Sequence, residues 1–196
     1  YEKGVMIELI ENLPAFDMFS QNFNYSITNW LPFYWKGFKQ TTYYTYIINN
    51  IDDLELSLSN FNYSKKKNIA KAENSIDIVY DISKNQFYTH LKENLSKQGK
   101  SVSYDYNLFN NIYNAAFKRN SSKILGACDK NGILHAAYFI VWDEISVYNI
   151  ISTIDPDYRS SGASSLLLKE MIAFASSFSE KIDLEGSMIE SVEHSF

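Results

Sequence analysis

Apolar residues recur with a clear period mainly in the second half of the chain. Ile76 to Ile82 alternates as IDIVYDI, the period-two pattern of a strand. Ser83 then caps a helix to about Gln98, in which Phe87, Leu91 and Leu95 fall at four-residue spacing, and Gly99 ends it. A second helix is predicted over about 105–119, with Phe109, Ile112, Tyr113, Ala116 and Phe117 on one stripe. Three strands follow: Ser122 to Cys128, Ile133 to Trp142, and Ile145 to Thr153. Asp129-Lys130-Asn131-Gly132 joins the first two as a hairpin turn, Asn-Gly being the strongest local signal. Asp143-Glu144 turns into the third. A loop with Pro156 leads to Gly162, then a helix to about Phe178 with Leu166, Leu167, Met171, Ala173 or Phe174, and Phe178 inward, then a short buried strand, Lys181 to Leu184. Strand, helix, helix, three-strand meander, helix, strand makes an α/β (α+β) fold, a mixed central sheet with helices on both faces.

The first half is less regular. Residues 1–13 are weakly patterned. Phe16 to Tyr25 alternates loosely and predicts a strand. Asn29-Trp30-Leu31-Pro32 predicts a turn, because Pro32 pushes Leu31 towards an extended conformation. Gln40 to Ile48 (QTTYYTYII) is rich in β-branched and aromatic residues and predicts a strand, which Asn49 to Asp53 breaks. Ser64 caps a helix to about Asn74, whose Lys65, Lys66, Lys67 and Lys71 read as a solvated face. Aromatics make up 16% of the chain and crowd the first fifty residues. Such a surface can hold sugars or bases; a core of large side chains is the plainer reading.

The 196 residues suffice for one domain or a little more. A net charge of −5 argues against a general nucleic-acid binder. A single cysteine, Cys128, excludes an intramolecular disulfide framework and a multi-cysteine zinc cluster. His90, His135 and His194 lack ligand spacing, so no metal is expected. No run reaches the roughly 18 apolar residues of a membrane helix, and a cytoplasmic setting is expected. The chain starts at Tyr1 and stops at Phe196 within what reads as a helical or loop motif, which predicts a piece of a longer protein cut at both ends.

The element order from residue 76 is similar to the GNAT acyltransferase fold. There, the loop between the fourth strand and the next helix cradles the coenzyme A pyrophosphate, with the pattern Gln/Arg-x-x-Gly-x-Gly/Ala. Arg159-Ser160-Ser161-Gly162-Ala163-Ser164 resembles it, with Ser164 as the departure. Longer phrases narrow the family. Leu31-Pro32-Phe33-Tyr34-Trp35-Lys36-Gly37-Phe38-Lys39-Gln40-Thr41-Thr42, the segment Tyr63 to Glu73, and Asp183-Leu184-Glu185-Gly186-Ser187-Met188 resemble phrases of bacterial GNAT-like proteins related to the Fem enzymes. Those enzymes add amino acids to the peptidoglycan stem peptide, drawing on aminoacyl-tRNA, and contain two GNAT-like lobes. The resemblance implies that residues 1–50 are the last strands of a preceding lobe, 51–75 a linker and basic helix, and 76–196 a second lobe without its final two strands. An uncovered apolar surface near residues 181–196 is then expected.

Acyl transfer to an amine needs an anion site for the donor, a hydrogen-bond donor for the developing oxyanion, and a route for the amine proton. Arg159, Ser160, Ser161, Gly162, Ala163 and Ser164 are the candidates for the first, since a helix N-terminus offers unpaired N–H groups and a positive dipole end. The resemblance points to backbone N–H groups near Tyr148 to Ile151, including Ile150 and Ile151, for the second. For the third, Glu185 is preferred because strand ends in α/β folds are where ligands sit; Glu193 is the second candidate, with Glu190 and His194 nearby in sequence. Two readings stay open. One is an acyltransferase with acyl-CoA or aminoacyl-tRNA as co-substrate, no tightly bound cofactor, and an amine acceptor such as a peptidoglycan precursor. The other is a non-catalytic module of the same fold that binds an anionic ligand or partner.

Overall fold

The computed structural model describes residues 1–80 and 82–186. Fourteen elements follow one another: α1 (Glu2–Glu11), α2 (Leu31–Trp35), β1 (Ile47–Asn49), α3 (Leu54–Ser59), α4 (Tyr63–Ala72), β2 (Ile76–Val79), α5 (Lys84–Lys97), α6 (Tyr106–Phe117), β3 (Ser122–Asp129), β4 (Leu134–Trp142), β5 (Ser146–Ile154), a 3-10 turn (Pro156–Ser161), α7 (Ala163–Ala175) and β6 (Lys181–Asp183). Six strands form one sheet in the order β1-β6-β5-β4-β3-β2. β2 to β5 are antiparallel neighbours, and the crossover through α7 makes β6 parallel to β5.

Alternation along the meander fills two cores. Ala136, Tyr138 and Ile140 of β4 pack with Leu167 and Met171 of α7 and with Ile69 and Ala72 of α4. Ala137 and Phe139, on the other face, meet Phe87 of α5 and Phe109 of α6. The helix starts are capped by short polar side chains, each accepting from the backbone N–H three residues on: Asn62, Ser83 and Asp105 for α4, α5 and α6.

The meander, α5, α7 and the parallel β6 agree with the sequence reading. Several other expectations do not hold. Residues 2–11 are helical, although only Met6 of that helix is buried. Phe16 to Tyr25 contains no strand. Pro32 stands in the first turn of α2 instead of in a bend, where its missing N–H costs nothing. Of Gln40 to Ile48, only the end joins a strand, because β6 offers pairing to Ile47–Asn49 alone. Asn62, not Ser64, caps α4. Ile112 and Phe117 of the α6 stripe are exposed. The apolar surface expected beside residue 181 is covered as far as the description runs: β1 pairs along the outer edge of β6, and Ile182 and Leu184 are buried.

Candidate functional site

The site region lies at the carboxyl ends of the parallel pair. β5 and β6 pair only over Ser146–Tyr148 and Lys181–Asp183. Beyond Asp183 the chain turns away, and the Leu184 N–H donates to the Tyr46 carbonyl at 2.9 Å. β5 therefore runs on from Asn149 to Ile154 without β6 beside it. The register with β4 shifts there, Phe139 facing Ile151 and Ile140 facing Asn149, so Ile150 is the extra residue of a bulge. Ile150 and Ile151 thus sit where the strands part.

The loop after β5 is more heavily engaged than its small residues suggest. The Arg159 guanidinium donates to Oε1 of Gln98, the residue that follows α5, at 3.1 Å. Lys71 Nζ of α4 donates to the Ser160 carbonyl at 2.6 Å, so one lysine of the expected solvated face grips the loop. The Ala163 N–H is accepted by Ser161 Oγ at 3.2 Å. Gly162 has φ +84, and a Cβ there would lie 2.3 Å from the Asn68 carbonyl oxygen of α4. Glycine is required by both the left-handed backbone and this close approach. Ser164 lies against the buried Tyr138, whose hydroxyl donates to the Ser164 carbonyl at 2.9 Å and is 2.7 Å from its Oγ. Burial pushes the Tyr138 phenol up to about 12, against the pull of that Ser164 bond.

A network on α5 fixes the start of this loop. Lys97 Nζ donates to both Asp155 oxygens at 2.8 and 2.9 Å and to Asp157 at 2.8 Å. Those bonds hold the Lys97 ammonium well above its ordinary range. Burial alone would raise the Asp155 carboxyl; the Lys97 bond and the Asp157 N–H outweigh it and hold it below the usual range. One turn earlier, Asn94 donates to Thr153 Oγ1 at 3.0 Å, and two turns earlier His90 Nε2 is 2.8 Å from the Leu134 carbonyl. Desolvation lowers the His90 pKa against that backbone bond. None of these side chains stood out in the sequence, although His90, Asn94 and Lys97 follow helical spacing.

Glu185 lies just past β6 at the parting of the strands. Its φ is +59; the other two non-glycine residues with positive φ among those described are Asn50 and Asn120, a type that tolerates the left-handed region. Although the residue as a whole is exposed, its surroundings partly desolvate the carboxyl and raise its pKa, and the Asp183 charge adds to this. Asp183 is buried and accepts from the Glu185 N–H at 2.8 Å and from the Thr45 hydroxyl. Gly186 lets this turn lie against the Tyr44 carbonyl, which a Cβ would overlap. Glu193, with Glu190, His194, Ser187 and Met188, lies outside the described residues.

The remaining candidates of the sequence fall elsewhere. His135 is buried, stacked on Tyr158 at 4.0 Å between centroids, with Asp129 Oδ2 3.7 Å away. Burial, aided by Asp129 and Asp77, raises the Cys128 thiol, the wrong direction for a thiolate nucleophile. Asp143 accepts from the Ile145 and Ser146 N–H groups and is a turn residue. Among the described residues, no three His, Cys, Asp or Glu side chains are grouped to hold a metal, and no helix is long and apolar enough to cross a membrane.

No known family profile matches the chain, and no curated protein matches it in sequence. Solved structures do match in shape. The crystal structure of FemX superposes with a TM-score of 0.65 at 10% identity, over 74% of this chain and 53% of that one. A conserved protein of unknown function from Bacteroides thetaiotaomicron gives 0.54 at 16% identity, over 77% of this chain and 53% of that one. The chain thus spans about half the length of either (53%). The mixed six-stranded sheet with its crossover helix is a GNAT-like fold, shared with FemX.

Proposed function

We propose that the chain carries the transfer lobe of an acyltransferase that moves an acyl or aminoacyl group from an activated carrier to an amine. In this reading residues 76–186 belong to that lobe, and residues 1–50 end a neighbouring lobe that lends β1 to its sheet edge. Glu185 carries the reading: a carboxylate with raised pKa, on a backbone conformation that costs its residue about 1–2 kcal/mol, beside the gap between β5 and β6. Strain of this kind gathers at working sites. The amine nitrogen attacks the carrier's carbonyl carbon, its proton passes to Glu185, and the carrier leaves as the C–O or C–S bond breaks. N–H groups at the Ile150 bulge stabilise the oxyanion, and the Arg159–Ser164 loop holds the carrier's anionic part.

The resemblance to Fem enzymes supports aminoacyl-tRNA as carrier and a cell-wall precursor as acceptor. The non-catalytic reading has its own support, since Gln98, Ser161 and Tyr138 already engage much of the loop. Glu185→Gln tests between them. Turnover with aminoacyl-tRNA, and separately with acetyl-CoA, falls about 10²- to 10⁴-fold while carrier affinity stays. The acid limb of the parent's rate profile lies above the usual carboxylate range, because activity appears as pH rises through the raised pKa of Glu185. An unchanged rate removes Glu185 as the base; no turnover with either carrier leaves the binding module.

A further inference from the structure

We infer that the aromatic stretch before β1 forms a binding site for a neutral saccharide. Residues 19–43 wrap a cavity of about 530 Å³, inside the roughly 300–1,000 Å³ of ordinary small-molecule sites. It is separate from the Arg159–Ser164 loop and shares no lining residue with it. Its inference therefore stands whether or not the transfer reading does.

The cavity has an aromatic floor. Phe33 is buried and gathers Phe19, Phe23 and Phe38 around it, with centroids 6.5, 5.1 and 5.3 Å away. Trp30 stands edge-on to Tyr34 at 5.7 Å and also lines the space. The rim is of a different chemistry: amides and hydroxyls such as Asn22, Gln40 and Thr41, which are exposed, with Lys39 as the one charged residue in the lining. One wall is tied to the sheet, since Lys181 Nζ of β6 donates to the Tyr25 hydroxyl at 2.7 Å.

This combination selects a ligand class. A phosphate-bearing ligand would call for several cations, and the lining supplies one. A cationic ligand would call for carboxylates, and the lining has none. A purely apolar ligand would leave the rim amides facing it without partners, at a cost. A pyranose ring satisfies both parts. Its C–H face lies flat on an aromatic ring and buries apolar area, while its hydroxyls reach the amides, which can both donate and accept.

Titration of the protein with maltose and with N,N′-diacetylchitobiose, followed by calorimetry and by saturation-transfer NMR, tests this. At least one disaccharide binds with a dissociation constant of about 1 mM or tighter. Trp30→Ala and Gln40→Ala each weaken it about fivefold or more, and Glu185→Gln leaves it unchanged. Gln40 is exposed, so its variant keeps the parent's melting temperature even where Trp30→Ala does not. No saturable binding of either sugar overturns the inference. So does tighter binding of uridine monophosphate than of both sugars, or a Gln40→Ala variant that binds as the parent does.

Discussion

The sheet over residues 76–183 and the aromatic stretch over residues 16–43 both hold many large apolar side chains, and they bury them to different degrees. In the sheet, Phe87, Phe109 and Phe139 are 0–1% exposed. In the stretch, Phe16 is 49% exposed, Tyr43 63% and Met18 84%. Composition does not separate the two regions. Spacing does: strand alternation and four-residue helical repeats aim side chains at one surface that a second layer can cover. Where the spacing is irregular, rings cluster with one another and leave part of their area to solvent or to a ligand.

The largest test of that contrast is Phe139→Ala. Phe139 touches Phe87 and Phe109 at 6.3 and 5.6 Å between centroids, and the sheet behind it cannot close the gap. A loss of about 3–5 kcal/mol is expected from urea denaturation. A loss below about 0.5 kcal/mol, the level of an ordinary surface change, would mean that the meander face is not the cooperative core.

Gly162→Val comes next. A side chain at φ +84 is strained by itself, and its Cβ meets the Asn68 carbonyl. About 2–4 kcal/mol of stability should go, with α4 loosened from α7. Asn68→Ala should not rescue it, since the obstacle is backbone. If Gly162→Val melts as the parent does and only carrier binding suffers, the glycine serves the ligand and not the fold.

What was legible in the chain follows the same division. The meander and both long helices before it were readable because their apolar period repeats over four or more residues, and β6 from its place as a short segment after the crossover helix. The Asn-Gly hairpin was readable because its turn chemistry is local. The Pro32 helix start was available in the sequence, since proline suits a first helical turn, but the bend reading displaced it. The strand expected over Phe16 to Tyr25 rested on a loose alternation alone, without a partner strand to pair with. Glu185 was singled out as a candidate from its place after a strand, and its positive φ was not foreseeable from residue type. The contacts of Asn68 and Lys71 with Gly162 and Ser160 join segments far apart in sequence. They depend on how α4 docks on α7, which no local pattern encodes.

A smaller effect is expected from Lys97→Met, which breaks the ties that set the loop's start. Asp155 has a folded pKa below its unfolded value. Its contribution is therefore present at neutral pH and lost as pH falls through the folded pKa, below the ordinary aspartate value of about 3.9. The variant should melt lower than the parent at neutral pH, and the gap should close in acid. Carrier binding should weaken too, because Lys97 fixes Asp155 and Asp157 in the turn that presents Arg159. A gap that widens in acid would mean that the Lys97 bonds do not set the Asp155 charge.

The smallest expected effect is the most direct probe of the aromatic stretch. Phe16 meets Phe19 and Phe38 at 5.6 and 6.4 Å, but half its surface faces water, and it does not line the saccharide cavity. Phe16→Ala removes little buried area and leaves no closed void, so the change should stay within about 0.5 kcal/mol, as for surface positions generally. Hydrogen exchange gives the same comparison site by site: amides of β3 and β4 should open only with global unfolding, and those of residues 16–30 far more readily. A cost near that of Phe139→Ala would show that the stretch and the sheet unfold as one unit. The ring cluster would then be core after all, and irregular spacing would be no bar to burial in this chain.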